Sequence, residues 1–173
     1  VKAYEKKDLA TSHEGFKKAL EVHDYVFEKN LAGANGFKFS ALDTTLVLYA
    51  AITAMEQKKT DDAVSFYKKM VDANVGGPSY IDAYQVLADY YKNKKDKAGF
   101  TDIIAKGRKQ YPANEEYWTA LEIEEATEGV GKPAVFPKYE ELIASHPGNY
   151  VLAYNYGVEL YQYMYSDSAK GAD

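Results

Sequence analysis

The chain has 173 residues, of which 46% are hydrophobic, enough for one compact domain or one elongated repeat array. It contains no cysteine, which excludes disulfides, thiolate metal sites and a cysteine nucleophile, and no apolar run approaches the roughly 20 residues that cross a bilayer. The net charge of −5 is uneven, because residues 1–114 carry 18 basic and 15 acidic side chains (+3) and residues 115–173 carry 3 and 11 (−8). Arg108 is the one arginine among 21 basic residues, which argues against a nucleic-acid partner because base and phosphate recognition favours the guanidinium fork. We therefore expect a soluble chain without membrane insertion, and its composition fits the cytoplasm or a cell-envelope compartment such as the periplasm.

Short turn-forming stretches divide the chain at regular intervals. They are EKKD (5–8), AGANGF (32–37), QKKTDD (57–62), NVGGPS (74–79), NKKDK (93–97), YPAN (111–114), EGVGKP (128–133) and HPGN (146–149). The segments between them carry apolar residues at helical spacing, and none alternates with a period of two for long enough to indicate a strand. The sequence thus predicts an all-α chain, in which Asp43, followed by two threonines, caps the helix after it.

One pattern recurs along the chain: a small or apolar residue, a bulky apolar or aromatic one four positions later, and a third small or apolar residue three positions after that. It occurs as Ser12, Phe16 and Ala19; Ala63, Tyr67 and Met70; Phe100, Ile104 and Gly107; and Val135, Tyr139 and Leu142. This spacing places each trio on one face of a helix. The steps from 63 to 100, 135 and Ala169 are 37, 35 and 34 residues, and the first step of 51 equals 34 plus an insertion of 17. Pro112 and Pro147, 35 residues apart, keep the same phase and suit a position just after a helix.

These residues resemble the tetratricopeptide repeat (TPR) family, whose 34-residue signature is W-x2-L-G-x2-Y, then A-x3-F, then P. The first helix of each pair matches at Ala50, Ala51 and Ala54; Leu87, Ala88 and Tyr91; Trp118 and Leu121; and Tyr156, Gly157 and Leu160. The sequence departs from the signature at Phe100, at Glu122 and Glu125, and by one extra residue in GVGKPAVF. The resemblance covers nearly the whole chain.

The resemblance implies a right-handed superhelical solenoid of antiparallel helix pairs. Its predicted units are a partial repeat with an insertion (1–43), three repeats (44–80, 81–114 and 115–149) and a partial repeat (150–173). Counting back places Val1 near the ninth position of a repeat, so we expect the chain to be a piece of a longer array.

By the same resemblance, the second, fifth, ninth and twelfth positions of each repeat line a concave groove. The candidate peptide-binding residues are Leu48, Ile52, Met55, Gln85, Asp89, Lys92, Thr119, Ile123, Tyr154 and Tyr161. Family members that grip chaperone tails use Lys and Asn as a carboxylate clamp at the start of this groove. Leu48 and Ile52 stand there instead, which favours an extended or helical apolar peptide or a missing helix of the protein itself.

No residue pattern indicates catalysis, a cofactor or a metal site. His13, His23 and His146 lack the spacing of a zinc site, and neighbouring carboxylates such as Glu115–Glu116, Glu140–Glu141 and those of EIEE (122–125) do not face one another on a helix. We expect a non-catalytic scaffold for a protein or peptide. The alternatives are a nucleic-acid-binding helical repeat, supported only by the recurring pairs Lys58–Lys59, Lys68–Lys69 and Lys94–Lys95, and a regulatory module of a larger multidomain protein.

Seventeen tyrosines are an unusual number for this length. Tyr67, Tyr91, Tyr139 and Tyr156 fit the aromatic core positions of the repeat, whereas Tyr49, Tyr154 and Tyr161 do not. Packing is the simpler interpretation of the second group, and recognition is the alternative because a rigid amphipathic ring suits binding surfaces. The last segment, YVLAYNYGVELYQYMY, is apolar and aromatic all round, so self-association through residues 150–165 is a further expectation.

Overall fold

A computed structural model describes residues 2–31, 33 and 36–166 of the chain. Its helices are α1 (Lys2–Glu5), α2 (Leu9–Glu28), α3 (Thr44–Glu56), α4 (Thr60–Asp72), α5 (Ile81–Asn93), α6 (Lys97–Gln110), α7 (Glu115–Thr127), α8 (Phe136–Ser145) and α9 (Tyr150–Met164). Short 3₁₀ turns, Pro78–Tyr80 and Pro112–Asn114, precede α5 and α7. The all-helical prediction is confirmed for these residues, which contain no strand. Ala169, the last repeat position, lies outside the described residues.

Side-chain caps fix where four of the helices begin. The carboxylate of Asp43 accepts a hydrogen bond from the backbone N–H of Leu46 at 3.0 Å, as the sequence predicts. Asp8, Asp96 and Asn149 cap α2, α6 and α9 in the same way. Each cap satisfies a backbone donor that the first turn of a helix leaves unpaired, so these side chains hold the helix starts in register.

The chain divides into two compact units, Val1–Tyr111 and Pro112–Asp173. This division falls three residues before the predicted start of the repeat at 115. In unit 1, each helix packs on its neighbour in the chain, from α1 against α2 through α5 against α6. Ion pairs also join alternate helices of this unit, since Glu14 of α2 lies 3.3 Å from Lys59, and Asp72 of α4 lies 3.6 Å from Lys106.

The recurring trios supply much of the core. All three members are buried in α4 and α6, whereas only the first two are buried in α2 and around α8, where Ala19 and Leu142 are half-buried. The alanines of α3, at positions 50, 51 and 54, are fully buried as well. Small side chains on that face let the helices on either side approach α3 closely, which explains why the repeat pattern places alanine there.

The predicted insertion lengthens α2 and adds a segment that folds back on it. The helix has 20 residues, whereas α3 and α4 have 13 each. The ring of Phe39, from the segment before α3, meets the buried His23 of α2 edge-on at 5.8 Å, and Phe37 packs on Phe39 at 5.2 Å.

In unit 2, α7 packs on both α8 and α9, and α8 packs on α9. An aromatic cluster joins the last two helices. Tyr139 stacks on Tyr156 with ring centroids 5.6 Å apart, and Phe136 meets Tyr163 edge-on at 5.3 Å. Aromatic pairs of this kind contribute both buried area and a preferred orientation, so they fix how α8 lies on α9.

None of the helices within residues 2–31, 33 and 36–166 combines the length with the apolar character that a membrane span requires.

Candidate functional site

The candidate residues of α3 form a stripe that the rest of unit 1 leaves partly uncovered. Leu48 and Ile52 are half-buried, and Met55 is 39% exposed. Their spacing of four and three residues puts them on one side of the helix. The other side carries Val47 and the alanines and is fully buried. Helix α3 is therefore apolar nearly all round, although only one side of it is completely buried.

The candidate residues of α5 are polar. Asp89 is exposed, and Gln85 and Lys92 are half-buried. The structure brings Asp89 together with Met55 of α3, because both line one cavity of about 390 Å³. This cavity also includes residues that the repeat positions do not predict, from the first turns of α4 and from the last turns of α5.

In unit 2, one candidate residue lies inside the protein. The side chain of Thr119 is fully buried, and its hydroxyl donates to Glu115 at 3.1 Å. Asn149, the cap of α9, donates from Nδ2 to Thr119 Oγ1 at 2.6 Å and to Glu115 Oε1 at 3.1 Å. Thr119 thus fastens the start of α9 to α7 and is not available at a surface. Ile123, one turn further along α7, is half-buried.

The candidate tyrosines of α9 are strongly exposed. Tyr154 and Tyr161 are 70% and 64% exposed, and they belong to a larger apolar surface that we call the α9 aromatic face. Its members share one side of the helix and are Tyr150, Tyr154, Tyr161, Met164 and Tyr165. The rings of Tyr161 and Tyr165 touch, with centroids 4.7 Å apart. The positions 150, 154, 161 and 165 are spaced by four, seven and four residues, which is the spacing of one helix face. The sequence alone could therefore have predicted all four of these tyrosines as members of one face.

The third tyrosine outside the repeat's core positions has a packing role. The ring of Tyr49 in α3 stacks on Phe16 of α2 at 5.4 Å and meets Tyr4 of α1 edge-on at the same distance.

Acidic pairs that the sequence presents as neighbours have structural partners in the fold. Glu116 accepts a hydrogen bond from Tyr150 at 2.8 Å, which raises the pKa of that tyrosine. Glu140 accepts one from Tyr156 at 2.7 Å, with the same effect on the pKa of Tyr156. Glu141 pairs with Lys138 at 3.3 Å. These carboxylates are occupied in helix packing and in surface ion pairs, and they do not converge on a common point.

The histidines also take packing roles. His13 is fully buried on α2, with Nε2 3.2 Å from the carboxylate of Asp62 in α4 and its ring edge-on to Phe66. In the part of the chain that the structure describes, no three His, Asp or Glu side chains are grouped closely enough to hold a metal ion.

The recurring lysine pairs are used at turns and on helix surfaces. Lys59, the residue just before α4, pairs with Glu14 of α2 at 3.3 Å, and Lys69 of α4 pairs with Asp24 of α2 at 3.1 Å. Burial acts to raise the pKa of Asp24, but hydrogen bonds and charge attraction from Lys69 and His23 outweigh it and lower that pKa. Lys94 extends over the ring of Tyr90, with Nζ 5.6 Å from the centroid.

The chain matches no protein-family model, no curated protein and no solved structure.

Proposed function

We propose that the chain is a non-catalytic scaffold of TPR-like helix pairs that binds a protein or peptide segment along the uncovered faces of its first helices. In this proposal α3 and α5 in unit 1, and α7 and α9 in unit 2, are the first helices of successive pairs. The pairs would stack into a right-handed solenoid.

The repeat part of the proposal is supported by contacts that recur at a constant separation. In unit 1, Asp72 pairs with Lys106, and the hydroxyl of Tyr111 donates to the carbonyl oxygen of Gly77. In unit 2, Glu115 accepts from Asn149, and Glu116 accepts from Tyr150. The two residues of each pair are 34 positions apart, which is the length of the family's repeat. Neighbour-to-neighbour packing of helices within each unit agrees with a repeat array as well.

The binding part of the proposal depends on one observation, the partly uncovered apolar stripe of Leu48, Ile52 and Met55 on α3. Leu48 and Ile52 contribute some burial, but each keeps part of its apolar surface in contact with water, and Met55 is 39% exposed. Contiguous apolar surface of this kind marks interaction sites on soluble proteins. An extended or helical peptide that places apolar side chains on the stripe would remove it from water.

A double substitution tests this proposal. Random twelve-residue peptides displayed on phage would be selected on the wild-type chain, and the affinity of the enriched peptides measured by fluorescence anisotropy. Leu48→Lys combined with Ile52→Lys should weaken their binding at least about tenfold, which corresponds to roughly 1.4 kcal/mol.

The matched control is Val22→Lys combined with Tyr25→Lys, which places two lysines on another exposed apolar surface of unit 1, on α2. It should bind the enriched peptides as tightly as wild type does. Circular dichroism establishes that both double variants remain helical. The proposal is wrong if no peptide is enriched, or if the α3 variant binds the enriched peptides as tightly as wild type does.

A further inference from the structure

The α9 aromatic face lies on one side of a helix whose other side is packed. Leu152 of α9 is fully buried, and the rings of Tyr156 and Tyr163 pack on rings of α8. The five members of the face are, in contrast, each 64–72% exposed. Helix α9 therefore keeps one apolar side in water while its other side holds it on unit 2.

The middle of this face consists of small residues. Gly157 is the central residue of the 15-residue helix, and a Cβ atom added there would meet no atom within 4 Å. Ala153, about one turn earlier, is exposed as well. At 100° per residue both lie within the arc of the face. They form a notch between the bulky side chains at the two ends of the face.

The face itself carries no charge. Glu159 is the one charged residue of α9, and it lies on the opposite side of the helix, where it pairs with Lys132 at 2.8 Å. At the edge of the face, Glu116 of α7 accepts the hydrogen bond of the Tyr150 hydroxyl. The positions beside the face, where paired helices often carry charges, are apolar too: Val151, Val158 and Leu160. A second copy of the same face would therefore bring no like charges of α9 together.

The exposed area is as large as a stable dimer requires. A side chain of this size has an area of about 200 Å², so the five members together keep about 700 Å² per copy in contact with water. Two copies that cover these faces completely bury about 1,400 Å², and stable protein interfaces bury roughly 1,200–2,000 Å².

We propose that two copies of the chain pair through their α9 aromatic faces, with the two helices antiparallel and crossing at Gly157. A two-fold axis at Gly157 places Tyr161 of one copy over Ala153 of the other, and Tyr150 beside Met164. Bulky rings then meet small or flexible side chains, and the two glycines let the backbones approach closely. In a parallel pair each tyrosine would meet the same tyrosine of the other copy, and two rings would compete for one place.

The pairing goes beyond the proposed peptide binding, which depends on the stripe of α3. It assigns Tyr154 and Tyr161, predicted as groove residues, to a second copy of the chain. Leu48→Lys combined with Ile52→Lys should leave the dimer unchanged, so either proposal can fail alone. Well below the dissociation constant the chain is monomeric, and the stability and amide exchange of the single chain are measured there.

Sedimentation equilibrium of the full 173-residue chain tests the pairing. Interfaces of this size give dissociation constants in the micromolar range or below, so wild type should be dimeric at about 100 µM. Tyr154→Lys combined with Tyr161→Lys places two ammonium groups in the interface and should raise the dissociation constant at least about tenfold. Both rings are exposed in the single chain, so the variant should fold, and circular dichroism checks this. The matched control, Val22→Lys combined with Tyr25→Lys on α2, should dimerise like wild type.

A substitution at the notch separates a fitted interface from unspecific apolar association. Gly157→Leu fills the notch and should weaken the pairing at least about tenfold, although leucine favours the helix and adds apolar area. Association through apolar area alone would instead become tighter. The control is Gly15→Leu, at a glycine of α2 that is also exposed and has open space at its Cβ position, and it should leave dimerisation unchanged.

Introduced cysteines report the orientation, because the chain has none of its own. Tyr150→Cys combined with Met164→Cys should form disulfides between copies under mild oxidation. Tyr150→Cys alone should not, because the antiparallel pairing keeps the two copies of position 150 about 20 Å apart along the helices, too far for a disulfide.

Several results would overturn the pairing. It is wrong if wild type is monomeric at the concentration given above, or if the two lysines in α9 leave the dimer intact. Its geometry is wrong if Gly157→Leu tightens the dimer, or if Tyr150→Cys alone is cross-linked. If wild type is monomeric and the two lysines in α9 abolish the binding of phage-selected peptides, a peptide occupies the face instead of a second copy.

Discussion

At the scale of single residues, five turns in unit 1 place a non-glycine residue in the left-handed region. They are Lys7, Asn30, Lys58, Asn74 and Lys95, with φ between 49° and 60°. Each follows a helix whose last carbonyl groups accept two further backbone hydrogen bonds. After α5, for example, Lys95 N donates to Lys92 O and Asp96 N donates to Tyr91 O, both at 2.9 Å. Glycine is the usual residue at this point, because a side chain in the left-handed region costs roughly 1–2 kcal/mol.

Lys95→Gly should therefore stabilise the protein, by about 0.5–1 kcal/mol after the greater flexibility of glycine in the unfolded chain is subtracted. The measurement is the free energy of unfolding by urea. The neighbouring Lys94 gives a matched control, because it carries the same charge but has a φ of −79°. Lys94→Gly removes the contact with Tyr90 and relieves no strain, so it should destabilise. Equal effects of the two substitutions would show that charge, and not backbone geometry, determines the result.

At the scale of elements, two tyrosines hold the connection between α4 and α5. The hydroxyl of Tyr84 donates to the carbonyl oxygen of Val75, and that of Tyr111 donates to the carbonyl oxygen of Gly77, both at 3.1 Å. Their rings meet edge-on at 5.3 Å. Burial, with smaller contributions from Tyr84 and Asp82, raises the pKa of Tyr111 to about 12. The protonated hydroxyl is the form that anchors the connection.

Tyr111→Phe should lower the free energy of unfolding by about 1 kcal/mol at neutral pH, because it deletes one hydrogen bond at a buried ring. It should also change the alkaline pH dependence. In the unfolded chain this tyrosine ionises near pH 10, but in the folded chain it stays protonated until about pH 12. The folded state therefore binds more protons between these values, and stability falls as the pH rises through them.

The free energy of unfolding, measured by urea at pH 8 to 12, should consequently decline less steeply in Tyr111→Phe than in wild type. Tyr25→Phe, on the exposed side of α2, is the control. An unchanged slope in Tyr111→Phe would mean that the hydroxyl of Tyr111 does not contribute to the alkaline loss of stability.

The elements also indicate what the sequence can predict. Apolar spacing, the Asp43 cap and the turn stretches predict helices close to those observed, because each depends on neighbours within a few positions. The burial of a side chain by residues far away in the sequence cannot be predicted in this way. Repeat position predicts an accessible Thr119, but Asn149, 30 residues away, supplies a donor that lets the hydroxyl be buried. The cavity at Met55 is lined by residues of three helices, and no pattern of neighbouring residues in the sequence predicts which residues line it.

At the scale of the molecule, the two units differ in how much core they contain. Most of the buried hydrophobic side chains belong to unit 1, where α3 to α6 each contribute several. Unit 2 has fewer, among them Trp118, Tyr139 and Leu152. Unit 2 also has the whole acidic surplus, since residues 115–173 carry 3 basic and 11 acidic side chains, and it has the exposed α9 aromatic face. Because fewer hydrophobic side chains are buried in unit 2, α7 to α9 should unfold locally more readily than α3 to α6.

Amide hydrogen exchange followed by mass spectrometry tests this difference. In wild type, amides of α8 and α9 should exchange faster than those of α4 and α5. Tyr139→Ala removes a ring that is 5% exposed and stacked on Tyr156, a loss of about 3 kcal/mol for a buried aromatic side chain. If the helices form the proposed repeat array, exchange should then rise in α8 and α9 and stay unchanged in α3 to α5, because each helix of such an array depends mainly on its neighbours.

Tyr154→Ala is the control, since its ring is 70% exposed and contributes little burial. It should leave the exchange of α8 and α9 near the wild-type rate. If Tyr139→Ala instead raised exchange equally in α3 and α9, the chain would unfold as one cooperative body, and stability would not be local as a repeat array requires. That outcome would also weaken the proposed function. In the proposed scaffold each repeat is stabilised by its neighbours, so α3 can present its apolar stripe without support from α9.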